Sequence, residues 1–150
     1  MKKDFDDIDK DIIRILQDNA RTSYREIQDK LGISIGTIHN RIAKLKKNEV
    51  IEGYTIKLNN IKLGYKLTFL IRIQIKGKST EAILDEIKKK PEVCSVFHTT
   101  GEQSAALICR FRESDDVHNF IRDLNEKDSV TRTVSNMVLK EYKNTSYVQI

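Results

Sequence analysis

Apolar residues recur with a helical period through the first fifty positions and mostly with a strand period after them. Ile8, Ile12, Ile15 and Leu16 fall at i, i+4, i+7 and i+8 and predict a first helix. Ser23, followed three residues later by Glu26, reads as a capping box, and Tyr24, Ile27 and Leu31 give the second helix its stripe. Gly32 stops that helix. Ser34 offers an N-cap for a third, over about 34–48, whose core face is Ile35, Ile38, Ile42 and Leu45. The tight Leu31-Gly32-Ile33-Ser34 connection makes this a helix-turn-helix pattern. Alternation around Gly53, from Val50 to Leu58, predicts a wing strand or hairpin.

Asn59 to Lys66 carries few packing signals and reads as a linker, so the expected division is 1–58, 59–66 and 67–150. Beyond it, Phe69–Ile75 is a predicted strand and Thr80–Lys90 a helix stopped by Pro91. Val93–Thr100 and Gln103–Phe111 are strands joined at Gly101-Glu102. Ser114–Asn125 is a helix with Val117, Phe120, Ile121 and Leu124 on one face, and Val130–Leu139 is a last strand. The order β-α-β-β-α-β is that of a ferredoxin-like split βαβ. The expected class is therefore α+β, a winged helix-turn-helix followed by a βαββαβ domain. The tail, Tyr142–Ile150, is expected as an added edge strand.

Composition narrows the function. Of 150 residues, 39% are hydrophobic, enough for a packed core, and two cysteines do not make a disulfide scaffold. The apolar runs are too short to cross a bilayer, and the acidic N-terminus lacks the apolar stretch of a secretory signal, so a cytoplasmic protein is expected. The net charge is +5. Its placement says more than its size. Arg21 to Lys47 holds Arg21, Arg25, Lys30, Arg41, Lys44, Lys46 and Lys47 against only Glu26 and Asp29, whereas the first twenty residues hold six Asp. The positive charge is local to the helix-turn-helix, which points to an anionic partner.

On a helical wheel, the third helix separates cleanly. Thr37, Asn40, Arg41, Lys44 and Lys47 lie within about 80° of one direction, away from the aliphatic residues. Arg can fork onto guanine, Asn onto adenine, and Thr or Ser onto phosphate or base edges. Lys44 and Lys47 suit phosphates further along. Arg21, Ser23 and Arg25 flank the start of the second helix, where free N–H groups favour phosphate. Ser34 stands at the start of the third helix, and His39, between core and surface, reads as solvated or near phosphate, with a base contact as the alternative. These ten residues are the candidate contacts to double-stranded DNA.

The same residues carry a family resemblance. Ile8-Asp9-Lys10-Asp11-Ile12-Ile13-Arg14-Ile15-Leu16-Gln17, Asn19-Ala20-Arg21, Leu31-Gly32-Ile33-Ser34, Arg41-Ile42-x-x-Leu45 and Val50-Ile51-x-Gly53-Tyr54 together resemble the leucine-responsive regulator / AsnC family, the feast-famine transcription regulators of bacteria and archaea, in its archaeal form. The resemblance spans essentially the whole chain. It implies a winged helix-turn-helix, then a domain that binds an amino-acid effector between neighbouring subunits. It also implies homodimers that often assemble to octamers.

The family's sensor signature follows the second strand of the C-terminal domain, and here it reads Thr99-Thr100-Gly101-Glu102-Gln103-Ser104-Ala105. Many members carry an aromatic where Gln103 stands and Asp where Ser104 stands. Without that Asp, the amine of a ligand must be met elsewhere, for example by Glu102 or main-chain carbonyls. A small polar amino acid, glutamine first, is the expected effector. Thr131, Thr133 and Ser135 on the last strand are expected to add hydroxyls from a neighbouring subunit. An effector aside, no cofactor is expected.

Enzyme signatures are lacking, with no CxxC, HExxH, GxSxG or phosphate-loop pattern in the chain. Cys94 and His98 are about 13 Å apart on one strand and cannot share a metal. A hairpin centred on Gly101-Glu102 would set Cys94 opposite Cys109, so a cross-strand disulfide is one expectation and two small reduced residues the other. Lys88-Lys89-Lys90 reads as a solvated helix end, with a DNA-wrapping contact as the alternative. The chain thus reads as an effector-gated, sequence-specific DNA-binding regulator. An architectural, chromatin-like DNA binder without effector and a metabolic sensor acting on a partner protein are the competing readings.

Overall fold

Local capping chemistry sets where the helices begin. The computed structural model describes residues 5–77 and 80–150; the start of the acidic N-terminal stretch, residues 1–4, lies outside them. Helix α1 (Asp7–Asp18) is capped by Asp6, which accepts from the Asp9 amide while the Asp9 carboxylate accepts from the Asp6 amide. Helix α2 (Tyr24–Leu31) starts on the Ser23/Glu26 capping box that its sequence predicts, and it ends on Gly32 at φ 67°, a left-handed turn that favours glycine. Helix α3 (Ile35–Lys47) is capped by Ser34, whose Oγ accepts from the Thr37 amide at 3.1 Å. Ile12, Ile27, Ile38 and Ile42 form the core of the three helices, with Ile15, Leu16, Tyr24, Leu31 and Ile33 packed around it.

Contacts divide the chain into two compact units, one of residues 1–57 with 144–150, the other of residues 58–143. The last seven residues therefore associate with the helical unit, not with the sheet as an edge strand. Their carbonyls are the reason. Gln17 Nε2 donates to the carbonyl of Val148 at 3.0 Å, Arg14 Nε to that of Ile150 at 2.9 Å, and the Tyr147 hydroxyl to the carbonyl of Gln17 at 3.2 Å.

No strand ladder includes residues 50–58, so the expected wing strand or hairpin does not form within the described residues. The amides of Val50 and Ile51 both turn back to the Leu45 carbonyl and close α3. Tyr54, Ile56 and Leu58 beyond them stay exposed, with Lys46 Nζ 4.8 Å over the Tyr54 ring. Residues 59–65, expected as a linker, form an ordered turn in which the Tyr65 amide donates to the Asn60 carbonyl.

In the second unit, β1 (Leu67–Ile75), α4 (Thr80–Ile87), β2 (Val93–His98), β3 (Ala105–Phe111), α5 (Ser114–Asn125) and β4 (Val130–Met137) follow in the predicted order. The sheet runs β2-β3-β1-β4, antiparallel throughout. That order is the ferredoxin-like one, in which each βαβ crossover spans an intervening antiparallel strand. Ile71, Ile73 and Ile75 of β1 and Ala105, Leu107, Cys109 and Phe111 of β3 pack against Leu84 and Ile87 of α4 and Val117, Phe120 and Leu124 of α5. Each fully buried Ile, Leu or Phe contributes about 1.5–3 kcal/mol. Helix α4 and strand β4 are shorter than expected, ending at Ile87 and Met137.

The disulfide expectation fails on register. Ser95 to His98 pair with Ile108 to Ala105 as a hairpin centred on Gly101-Glu102 requires. An irregularity between Val93 and Ser95 then puts Val93, not Cys94, opposite Cys109. Both thiols are free, Cys94 exposed and Cys109 buried. Burial first, then the neighbouring Cys94 and Glu92, pushes the Cys109 thiol up to about 12, so it stays protonated and inert.

Candidate nucleic-acid interface and hairpin loop

The helix caps orient α3 so that one face is free. Thr37, His39, Asn40, Lys44 and Lys47 are exposed, as are Arg21 and Arg25 at the start of α2. The ring of His39 meets Tyr24 edge to face at 6.1 Å, which fixes its side of the helix. Ser23 and Ser34 are less free than expected. The Ser23 amide and hydroxyl both donate to Glu26 Oε2, at 2.6 and 2.7 Å, and these bonds hold the Glu26 carboxyl below its usual 4.5. Ser34 Oγ lies 2.9 Å from Thr37 Oγ1 and also caps the helix.

Arg41 departs from its expected role. Its Nη1 contacts both oxygens of Asp6 and Oδ1 of Asp9, each at 2.8 Å. The Asp9 side chain is only 4% exposed and that of Arg41 25%. The paired carboxylates, Asp9 first and Asp6 next, raise the guanidinium above its ordinary value. Arg41 therefore clamps α3 to the start of α1 through Nη1, a role the sequence does not predict. On the wheel it lies closer to the aliphatic face than Lys44 and Lys47 do, which is why it turns inward and they do not. Asp6 and Asp9 escaped the sequence reading as functional neighbours. Their pairing with a residue more than thirty positions away leaves no mark in local spacing.

Ile35, predicted in the core face of α3, is 45% exposed. It sits in the first helical turn, beyond the reach of the core formed by α1 and α2.

The loop between β2 and β3 is held by its own polar groups. The Thr99 amide donates to the Ser104 carbonyl at 2.9 Å, and Thr99 Oγ1 donates to the Gln103 carbonyl at 2.6 Å. Gly101 has φ 101°, a conformation suited to glycine. Ser104 Oγ accepts from the Ile75 amide at 3.0 Å and lies 3.2 Å from the Ile75 carbonyl, to which it donates. This hydroxyl ties the loop to the end of β1.

Strand β4 joins the loop through a residue that the sequence reading missed, Arg132, whose Nη1 meets Glu102 Oε1 at 3.2 Å. Thr131 Oγ1 donates to the Gln74 carbonyl at 3.3 Å. Ser135 pairs with Ile71, well down the strand, and is not brought to the loop. Two buried oxygens, Gln103 Oε1 and Thr133 Oγ1, have no hydrogen-bond partner among the described residues. Thr100, in the same loop as Gln103, is exposed.

Among the described residues, no group of three or more His, Cys, Asp or Glu is placed to hold a metal, and no helix is long and apolar enough to cross a membrane. Lys88 pairs with Asp85 and Lys90 with Asp123, so two of the three consecutive lysines are already neutralised.

Comparison with known proteins agrees with both regions. Residues 5–52 match the winged helix-turn-helix DNA-binding family, and residues 68–148 match the Lrp/AsnC ligand binding domain. An uncharacterized HTH-type transcriptional regulator of Pyrococcus furiosus is 39% identical over 140 residues, covering 93% of this chain and 95% of its own. The HTH-type transcriptional regulator FL11 of the same organism is 33% identical over 150 residues, covering 100% and 99%. Among solved structures, E. coli AsnC superimposes with a TM-score of 0.87 at 30% identity, covering 95% of this chain and 97% of that one. The Neisseria meningitidis transcriptional regulator NMB0573, in complex with L-Met, gives 0.91 at 27%, covering 97% and 96%.

Proposed function

The chain belongs to the Lrp/AsnC family of sequence-specific DNA-binding transcription regulators, which are not enzymes, and on that premise we propose that its DNA binding or oligomeric state responds to a small amino acid, with glutamine the first candidate. The observation that carries this reading is the pair of buried, unpartnered oxygens, Gln103 Oε1 and Thr133 Oγ1. A buried polar atom without a partner is costly, and a ligand that supplies one removes the cost. The ammonium of an amino acid donates three hydrogen bonds, and the Thr133 hydroxyl can accept one or donate to a carboxylate. Glu102 is already neutralised by Arg132, so the loop offers no unpaired charge to a basic side chain. A neutral polar side chain such as a carboxamide fits that balance. The L-Met complex of the Neisseria meningitidis relative supports the ligand class.

The proposed DNA contacts are Arg21, Arg25, Thr37, His39, Asn40, Lys44 and Lys47, with the helix-capping Ser23 and Ser34 near phosphate. The proposed assembly is a homodimer that forms octamers in the cytoplasm. Leu70 and Phe97 support self-association, because both are exposed on the sheet face that the helices leave open.

Isothermal calorimetry of the full chain against the twenty amino acids tests the effector. Heat with glutamine, abolished in Gln103→Ala, is the expected result. Heat with methionine alone would keep the class and replace glutamine. No heat with any amino acid would overturn the effector reading and favour a DNA binder without one.

A further inference from the structure

Helix α3 opens with two residues that its own fold does not require. Ile35 is a large aliphatic side chain at 45% exposure, whereas Ile38, Ile42 and Leu45 on the same stripe are at 0%, 2% and 3%. Gly36 beside it has no positive φ, and a Cβ added there would meet only Ser34 Oγ at 3.9 Å, an ordinary contact. Glycine weakens a helix relative to alanine, so its presence here without an internal steric reason suits the close approach of another molecule. An exposed isoleucine next to a bare stretch of backbone thus forms a small apolar step at the tip of the helix.

The chemistry that meets such a step in the major groove is specific. Helix-turn-helix proteins bring the N-terminal residues of the second helix of the motif against base edges. The apolar group on those edges is the C5 methyl of thymine. Arg41, the residue of α3 suited to a bidentate contact with guanine, is held by Asp6 and Asp9. What remains near the tip is Ile35, Thr37 and Asn40, and Asn suits adenine.

We propose that Ile35 is a specificity-determining residue that reads thymine through its methyl group, so that the pairs under the tip of α3 are A·T. The proposal rests on the reading of α3 as the helix that enters the groove. Replacing thymine by deoxyuridine removes the methyl and leaves the hydrogen-bonding edge unchanged, which isolates the contact.

The test uses the full chain at fixed salt, with duplexes selected by it from a random pool, in which each thymine is replaced in turn by deoxyuridine. At one thymine in each half-site the replacement is expected to weaken binding about fourfold, the equivalent of one buried methyl group. Ile35→Ala is expected to bind the unmodified duplex about as weakly and to show no further loss with deoxyuridine. Loss of methyl at no position, or the same deoxyuridine penalty in Ile35→Ala, would overturn the proposal. Asn40→Ala and Lys44→Ala separate the levels. If they weaken binding while the methyl and Ile35 do not matter, only the Ile35 assignment fails. If they too are without effect, or if the pool yields no preferred sequence, the reading of α3 fails and the proposal with it.

Discussion

The exposed face of α3 and the loop between β2 and β3 are both rich in polar groups, yet they use them in opposite ways. On α3, Asn40, Lys44 and Lys47 are exposed, while Lys46 lies over Tyr54, Thr37 Oγ1 meets Ser34 Oγ and Arg41 is held by two carboxylates. In the loop, Thr99 and Ser104 are bonded to the main chain and Glu102 to Arg132, while Gln103 Oε1, and Thr133 Oγ1 on β4, are buried without a hydrogen-bond partner among the described residues. A surface that meets a polyanion gains from cations without internal partners, because binding then releases counterions without first breaking ion pairs. A site for a small molecule gains from groups fixed in advance, because less ordering is left for the ligand to impose. Internal pairing, more than residue type, separates the two regions.

Arg41 is where that comparison is easiest to break. Arg41→Ala leaves the nearly buried Asp9 carboxylate without its cation, and removing one partner of such a pair costs about 3 kcal/mol. Urea unfolding of the full chain, followed by the helical signal, checks it. The expected outcome is a large loss of stability, with any loss of DNA binding equal on selected and random duplexes in the fraction that remains folded. Unchanged stability with loss on the selected duplex alone would return Arg41 to the base-reading face.

How the chain could be read beforehand follows the same division between local and distant pairing. The starts of α2 and α3 were legible because Ser23, Glu26 and Ser34 act within three residues. The sheet order was legible because β1, β3 and their helices alternate with clean periods. Arg41 was not, because wheel geometry gives a direction around the helix but not the carboxylates of another helix at its edge. Ile35 was assigned to the core because periodicity says which stripe is apolar and not where the neighbouring helices end. Cys94 was set opposite Cys109 because hairpin arithmetic assumes an unbroken register, and the irregularity beside it shifts the pairing by one. Alternation in residues 50–58 identifies an extended chain but supplies no partner strand. The position of the hairpin loop was legible, whereas the bond from Ser104 to Ile75 and the ion pair from Arg132 were not.

Ser104 sharpens the other half of the comparison, with a smaller effect. Ser104→Ala removes the hydroxyl that serves both the amide and the carbonyl of Ile75. One or two lost hydrogen bonds to partly buried main chain cost about 1–2 kcal/mol. Urea unfolding is expected to show that loss in the sheet unit, while affinity for selected duplexes without added amino acid stays unchanged. If stability is unaltered, the loop is not fixed in advance as the comparison requires.

The smallest expected effect lies in the acid range and concerns Asp6. Its carboxyl is held below the usual 3.8, first by the Asp9 amide and then by Arg41. A group whose folded value is lowered stabilises the fold while it is ionised. The contribution is therefore complete above pH 3.8 and is lost as the pH falls through the lower folded value. Glu26, held down chiefly by the Ser23 amide, behaves the same way from its usual 4.5 downward, so both clamps of the helical unit weaken together in acid. Asp6→Asn separates them, because asparagine still caps a helix but does not titrate. The variant is expected to be less stable at neutral pH, having lost the charge that faces Arg41. The difference from the parent should then shrink as the pH is lowered from 5 toward 3. Thermal unfolding at a series of pH values measures it. A difference that stays constant over that range would mean that the Asp6 charge does not hold Arg41, and that Asp9 alone keeps the guanidinium from the DNA-facing surface.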